Sequence, residues 1–526
     1  MDNSWKFVVE KKNANGNKTR IFAERKFIIM SISFSTLIGL LFTIALIIAV
    51  GTISGKKVKN ASDFSTGSGK AGTWIVCGAI MGTLVSGQAT IGTAQLAFSY
   101  GISAWWFTLG SAIGCLILSI AYVIPLRHSS SVTLLEVVSK EYGKKAEAVG
   151  SLLCFLGIFI SIIAQILSAS ALLQTLFPIS FLVAALIAIA LMIVYVVFGG
   201  VWGAGMGGIV KLALLYVSAL IGGIAVFGLA KGYSGLMETL QGIFCNTNLG
   251  EINEISSQEA VNHRYLNLLA RGPMKDLGSC LSLILGVLAT QTYAQGIWSG
   301  KSDSAACKGS LLCAFLTPPI GIACILIGLY MRGHYITSDE LAVIGTIPDG
   351  MAVMTSSSQA FPLFVLNHLP KLFGGVVLGT LLITIVGGGS GLSLGAATIL
   401  VRDVFYKIKP KIKESKRNLL ISRLTIIVIL LLGVAAAASF SGSFINDLGF
   451  LSMGLRATAV FLPLTLALFL PQHIRPKWIL ASMIAGTAML LAAKSASLPG
   501  DPMWWGLGVC LMCCIAGFRR KSIKQT

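Results

Sequence analysis

Long apolar runs separated by short polar stretches dominate this chain. The runs last about 18 to 25 residues, the length that carries an α-helix across a hydrocarbon core of about 30 Å. Alternating segments of about ten residues, the mark of a membrane barrel, are not visible. The pattern predicts about thirteen spanning helices. An anchor helix comes first at 27–51. Ten more follow at 72–95, 102–125, 146–175, 178–198, 207–230, 274–298, 308–332, 372–400, 418–440 and 446–470, and two tail helices close the chain at 477–495 and 503–518. The first run lacks a small-residue cleavage site and reads as a retained helix, not a signal peptide.

Composition agrees with the pattern. Hydrophobic residues make up 55 % of the 526 positions and charged residues 11 %, against roughly 25 % charged in soluble domains. So few charges cannot cover a water-soluble surface of this size, and the class is an all-α polytopic membrane protein. The formal net charge of +20 does not point to nucleic acid, because the Lys and Arg sit mostly in short loops. One alternate set of loops holds Lys56, Lys57, Lys59, Lys70, Arg127, Lys140, Lys144, Lys145, Lys301 and Lys308. It continues through Arg402, Lys407, Lys409, Lys411, Lys413, Lys416 and Arg417 to the tail residues Arg519, Arg520, Lys521 and Lys524. The positive-inside rule predicts a plasma (inner) membrane protein with a cytoplasmic C-terminus and, for an odd number of spans, an external N-terminus. The basic tail 1–26, with Lys6, Lys11, Lys12, Lys18, Arg20, Arg25 and Lys26, runs against that orientation.

Nothing outside the spans is long enough to bury a core of its own, so no appended catalytic or signalling domain is expected. The eleven cysteines follow no framework, and Cys510, Cys513 and Cys514 have no His or acidic neighbour to complete a metal site. The five histidines are scattered and no acid pair or Ser-His-Asp pattern appears, so the chain does not read as an enzyme. No resident cofactor and no obligate protein partner are expected.

Two helices mix glycine with polar side chains. The 72–95 helix carries Gly78, Gly82, Gly87 and Gly92 among Thr83, Ser86, Gln88 and Thr90, and the 274–298 helix carries Gly286, Thr290, Gln291, Gln295 and Gly296. Glycines in a span can serve close helix packing. Amides clustered with them favour a site, and the candidates are Ser86, Gln88, Thr90, Thr290, Gln291 and Gln295.

The order and spacing of several segments resemble the sodium:solute symporter family over about 30–470. They are Asp63-Phe64 through Gly72, Gly82 to Gly92, Tyr100 to Trp106, Tyr195 to Trp202, Gln295 followed by Gly300-Lys301, Ala360 to Pro370, and Ala397 to Lys407. The resemblance implies two inverted five-helix repeats. The expected division is a tail at 1–26, an anchor helix and loop at 27–71, repeats at 72–230 and 274–470 with external loops at 231–273 and 333–371, and a tail region at 471–526. It also implies that the first helix of each repeat is broken near midplane, where freed backbone groups bind cargo and ion.

The family's sodium site maps onto the carbonyls of Gly82 and Val85 and onto two hydroxyl positions that are Gly387 and Gly388 here; Thr384, Ser390 and Ser393 fit only with a shift of one turn. A Thr-Asp pair usual near the start of the 207–230 helix is Gly207-Gly208 in this chain. Sodium needs oxygen ligands, and glycine side chains supply none. One turn further on, Lys211 stands in an apolar run. Either it snorkels to the interface, or its ammonium takes the vacated cation position as a fixed or proton-exchanging substitute. Arg456 is the second intramembrane cation, and all twenty acids lie in loops, tails or helix ends. Arg456 either faces the watery outer vestibule or binds a carbonyl, or it receives an anionic cargo.

The expected function is secondary active transport of a small organic solute, a carboxylate or amino acid, coupled to a sodium ion. The alternatives are proton-coupled or cation-independent transport on the same fold, and a solute sensor built on it.

Overall fold

The computed structural model describes residues 5–12, 18–25, 33–55, 69–406, 418–440 and 442–519. The basic loop residues between 56 and 59 and between 407 and 417, Asp63 and Phe64, and the terminal Arg520, Lys521 and Lys524 lie outside them. The N-terminal tail forms an antiparallel hairpin of β1 (Trp5–Lys12) and β2 (Lys18–Arg25). Then come α1 (Phe34–Gly55), α2 (Thr73–Leu84), α3 (Thr93–Tyr100), α4 (Trp106–Ile117), α5 (Leu134–Tyr142), α6 (Lys144–Leu176) and α7 (Phe181–Leu229). The second half is built from α8 (Pro273–Leu288), α9 (Gln291–Ser299), α10 (Asp303–Leu316), α11 (Pro318–Arg332), α12 (Lys371–Ile399), α13 (Asn418–Ala437), α14 (Ile445–Arg456) and α15 (Leu462–Phe469). The tail pair α16 (Pro476–Ser495) and α17 (Pro502–Ala516) packs together and against the segment between α14 and α15.

Helices are the expected answer to this sequence, because in lipid every backbone N–H and C=O must find its partner within the segment. Among the described residues eight helices are long and apolar enough to cross a membrane, or nine when α8 and α9, bent by 43°, count as one. Shorter apolar helices, Phe34–Leu46, Thr73–Leu84, Phe181–Val196 and Pro502–Ala516, stand at other expected spans. Length and apolarity therefore do not reproduce thirteen separate spans. Two local features account for part of the difference. The 72–95 span stops at Leu84 and resumes as a π-helical turn, Gln88–Gly92, that runs into α3. Conversely, the helices expected at 178–198 and 207–230 form one unbroken run of 49 residues. Six glycines between 199 and 208 suggest a break, but without proline the backbone keeps its helical hydrogen bonds, since glycine only weakens a helix.

The 231–273 segment folds into helices Gly232–Asn246, Asn248–Ile252 and Gln258–Leu266. Gly101, with φ of 57°, lets this segment close on the α3–α4 junction, because a Cβ there would overlap the Tyr265 backbone. The 333–371 segment contains the parallel pair β3 (Tyr335–Thr337) and β4 (Ala352–Met354) and helices Ser338–Ile344 and Ala360–His368. Arg332 at the end of α11 is 2 % exposed and grips Glu340 with two hydrogen bonds of 2.9 and 2.6 Å. Its guanidinium also stacks on Phe98 of α3 and on Phe244, tying both outer segments to the bundle.

Candidate functional site

Two interruptions meet in the middle of the bundle. At the first, Val85 is extended (φ −85°, ψ 99°) after the end of α2. At the second, Thr290 is extended (φ −100°, ψ 117°) between α8 and α9. Breaks of this kind strip neighbouring backbone groups of their helical partners; at the first, side chains from other helices take up such groups, while at the second a cation bonds the Thr290 side chain.

At the first break the partners are a cation and an amide. Lys211 of α7, 1 % exposed, aims its ammonium at the Gly82 carbonyl (2.6 Å), the Val85 carbonyl (2.7 Å) and the Thr384 carbonyl of α12 (3.4 Å). Its side chain reaches them because α2 and α7 cross closely: Gly208 lies so near Gly78 that a Cβ would overlap the Gly78 carbonyl oxygen. Small residues at such a crossing let the backbones approach. Gln165 of α6 holds the other side, accepting from Gly87 N at 2.9 Å and donating to Ser86 Oγ at 3.0 Å. Thr90 Oγ1 donates back to the Ser86 carbonyl at 3.0 Å. The polar groups of Val85, Ser86 and Gly87 named here are thus bonded by the protein itself.

The glycines of α12 border this arrangement. A Cβ at Gly387 would stand 3.6 Å from both the Gly82 oxygen and Lys211 Nζ, whereas one at Gly388 would overlap Ser86 Cβ. Thr384 Oγ1 is buried without a hydrogen-bond partner, and Ser390 Oγ donates to the Met192 carbonyl. The oxygen set around the first break therefore does not fit a bound sodium ion: Gly387 and Gly388 bring no hydroxyl, and an ammonium already sits on the carbonyls.

At the second break the cation is Arg456, fully buried at the end of α14. It donates from Nη1 to Thr290 Oγ1 (2.7 Å), from Nε to the Ser452 carbonyl (3.1 Å), and from Nη2 to Ser452 Oγ (2.8 Å) and Ser161 Oγ (3.5 Å). Thr290 in turn donates to the Gly286 carbonyl at 2.6 Å. None of these partners is a carboxylate. Ser161 also donates to Gln88 Oε1 at 3.4 Å, while Gln88 Nε2 is buried with no partner.

Not every candidate faces this centre. Gln291 accepts from Leu134 N (3.0 Å) and donates to the Val132 carbonyl (3.1 Å), fastening α9 to the segment before α5. Gln295 donates to Thr398 Oγ1 of α12 at 2.8 Å. Both amides are occupied in helix-to-helix ties and lie apart from the Gln88–Thr290–Arg456 group. Gln165 does not stand out in the sequence; one of two amides within a 33-residue helix, it gives only the weak signal of a polar group in an apolar run.

Access differs at the two ends. A cleft of about 1000 Å³, lined by Gln95, Leu167, Ser170, Glu340, Gln359 and Ile445 among others, opens at the end that carries the 333–371 segment. At the opposite end, described residues tie the helices to one another. Arg127 pairs with Asp303 (2.6 Å) and donates to the Gly300 carbonyl (2.7 Å), and Trp298 donates to the Leu126 carbonyl (2.9 Å). Thr133 and Ser151 both donate to Asp403 at the foot of α12.

This architecture matches known transporters. Over 93 % of this chain and 97 % of the other, it superposes on a sodium-coupled sialic acid symporter in a substrate-bound outward-open state, with a TM-score of 0.69 at 17 % identity. A closed-state nucleobase-cation-symport-1 family transporter with bromovinylhydantoin bound matches over 88 % and 94 % of the two chains, with a TM-score of 0.50 at 13 % identity. At such identities the likeness concerns the fold, which is that of the inverted-repeat transporters. A model of the sodium:solute symporter family matches residues 64–486. The chain belongs to the sodium:solute symporter family.

Proposed function

We propose that this protein is a secondary transporter of a small organic solute, a carboxylate or amino acid, in which the Lys211 ammonium stands where the family resemblance puts a sodium ion. Transport then proceeds without sodium, either uncoupled or coupled to protons. The observation that carries this reading is the contact of Lys211 Nζ with the Gly82 and Val85 carbonyls at 2.6 and 2.7 Å. A hard cation would need those same oxygens together with hydroxyls, and Gly387 and Gly388 provide none. In the proposed orientation the C-terminus is cytoplasmic, the N-terminus is external and the 1000 Å³ cleft opens to the outside. The test is solute uptake into proteoliposomes with sodium replaced by choline, repeated from acid to alkaline pH. Equal uptake in choline is expected; uptake abolished by removing sodium would overturn the reading.

A further inference from the structure

We infer that the buried cluster of Arg456, Gln88, Ser161 and Thr290 is the subsite for an anionic group of the cargo, a carboxylate in its simplest form. The inference rests on the reading of the chain as a solute transporter and names the chemistry its central site accepts. It comes from a surplus of donors. Arg456 brings five N–H groups and the Gln88 amide two. Arg456 makes four hydrogen bonds, and Gln88 Nε2 makes none. Three N–H groups are left without an acceptor in a place where both residues are at most 4 % exposed. A buried donor without a partner, and still more a buried cation without a counter-charge, is costly. The hydroxyls of Thr290 and Ser452 cannot balance the guanidinium charge, and each donates its own O–H to a backbone carbonyl. A carboxylate has two oxygens and about four acceptor positions, so one such group supplies both the missing charge and the missing acceptors.

The cluster is also placed where cargo from the cleft would arrive. Gln88 lies seven residues below Gln95, and Ser161 six residues below Leu167, both of which line the cleft. At about 1.5 Å per residue the cluster sits roughly 10 Å beneath the cleft floor. The cleft lining contains Asp339 and Glu340 but no Lys or Arg among the described residues. Selection for negative charge is therefore made at the buried cluster. The stretched contacts of Ser161, 3.4 and 3.5 Å, are the ones a ligand oxygen would replace. Arg456 Nη1 also holds Thr290 Oγ1, a residue of the second break, so the subsite adjoins the hinge between α8 and α9.

The experiment is ligand binding to the purified full chain, read as a thermal shift and by calorimetry. The probes are a metabolite library in which every carboxylate is paired with its own primary amide. At least one carboxylate is expected to stabilise wild-type protein while its amide does not. Arg456→Gln should weaken that binding roughly ten- to a hundredfold, Arg456→Lys should retain part of it, and Gln88→Leu should weaken it by a smaller factor. The wild-type comparison does not depend on any variant folding. Equal binding of carboxylate and amide, full binding to a folded Arg456→Gln protein, or no carboxylate binding across the library overturns the inference. Sodium dependence of uptake tests the coupling reading and leaves the carboxylate-to-amide ratio unaffected, so the two can fail separately.

Discussion

Gln165 and Gly87 are 78 residues apart, yet the side-chain oxygen of the first accepts the backbone N–H of the second at 2.9 Å. The bond replaces one that the helix gives up where α2 ends, and the same amide also holds Ser86 Oγ. Gln165→Leu would leave both groups buried and unpaired, at a cost of roughly 1–3 kcal/mol for each. A clear drop in melting temperature and in uptake is expected for this variant. An unchanged melting curve would mean that the break is held by something else.

Lys211→Met keeps the apolar stem and removes the donor from the Gly82 and Val85 carbonyls. Each oxygen left without a partner costs roughly 1–3 kcal/mol. The variant should stay monodisperse in detergent with a lower melting temperature, and its uptake should fall at least tenfold. Wild-type uptake by a correctly folded Lys211→Met protein would remove the lysine from the transport cycle.

The adjacent glycines of α12 should respond differently to serine. At Gly387 a Cβ meets ordinary contact distances of 3.6 Å, so Gly387→Ser should fold with little change. At Gly388 the new atom overlaps Ser86 Cβ, and overpacking of that kind costs about 1–3 kcal/mol. Melting temperatures of the two variants, compared side by side, check the register of α12 against the first break.

A similar contrast exists on α7. Gly208→Ala drives a methyl into the Gly78 carbonyl and should destabilise the crossing on which the position of Lys211 depends. At Gly223 a methyl would meet nothing within 4 Å, and Gly223→Ala should be neutral or slightly stabilising through helix propensity. Equal melting temperatures would contradict the close approach.

Outside the membrane, Glu340 provides a pH test. Burial alone would raise its pKa, but the Arg332 hydrogen bonds and charge, helped by Thr337, outweigh burial and hold it below the ordinary 4.5. Its stabilising contribution is thus complete above the ordinary carboxylate range and is lost as pH falls through the depressed folded value. Wild-type protein should lose more thermal stability on acidification below about pH 5 than Glu340→Gln, which lacks the group. Parallel losses in the two proteins would show that the Arg332–Glu340 pair does not hold the outer segments.

The fold class is legible because lipid imposes long apolar runs, and the glycine-rich polar stretches around Ser86 and Thr290 mark segments that the structure interrupts. Lys211 and Arg456 stand out as charges in apolar runs, where an unpaired cation is costly. What cannot be read is rotation about each helix axis. Gln88 and Gln291 look alike in sequence, but one points at the centre and the other ties down the segment before α5. Nor can the missing break in α7 be seen, since a glycine cluster permits a helix as readily as it ends one. Gln165 escapes because its role is defined by a partner far away in the chain.

A tethered ammonium has a thermodynamic consequence. A free coupling ion is released on the far side and delivers the work stored in its gradient. Under the proposed reading, a Lys211 charge that stays fixed would end each cycle on the residue where it started, so it could shape the barrier between conformations but could not drive accumulation. Any concentrative power would then come from the membrane potential acting on the cargo's charge, or from a proton that travels with it.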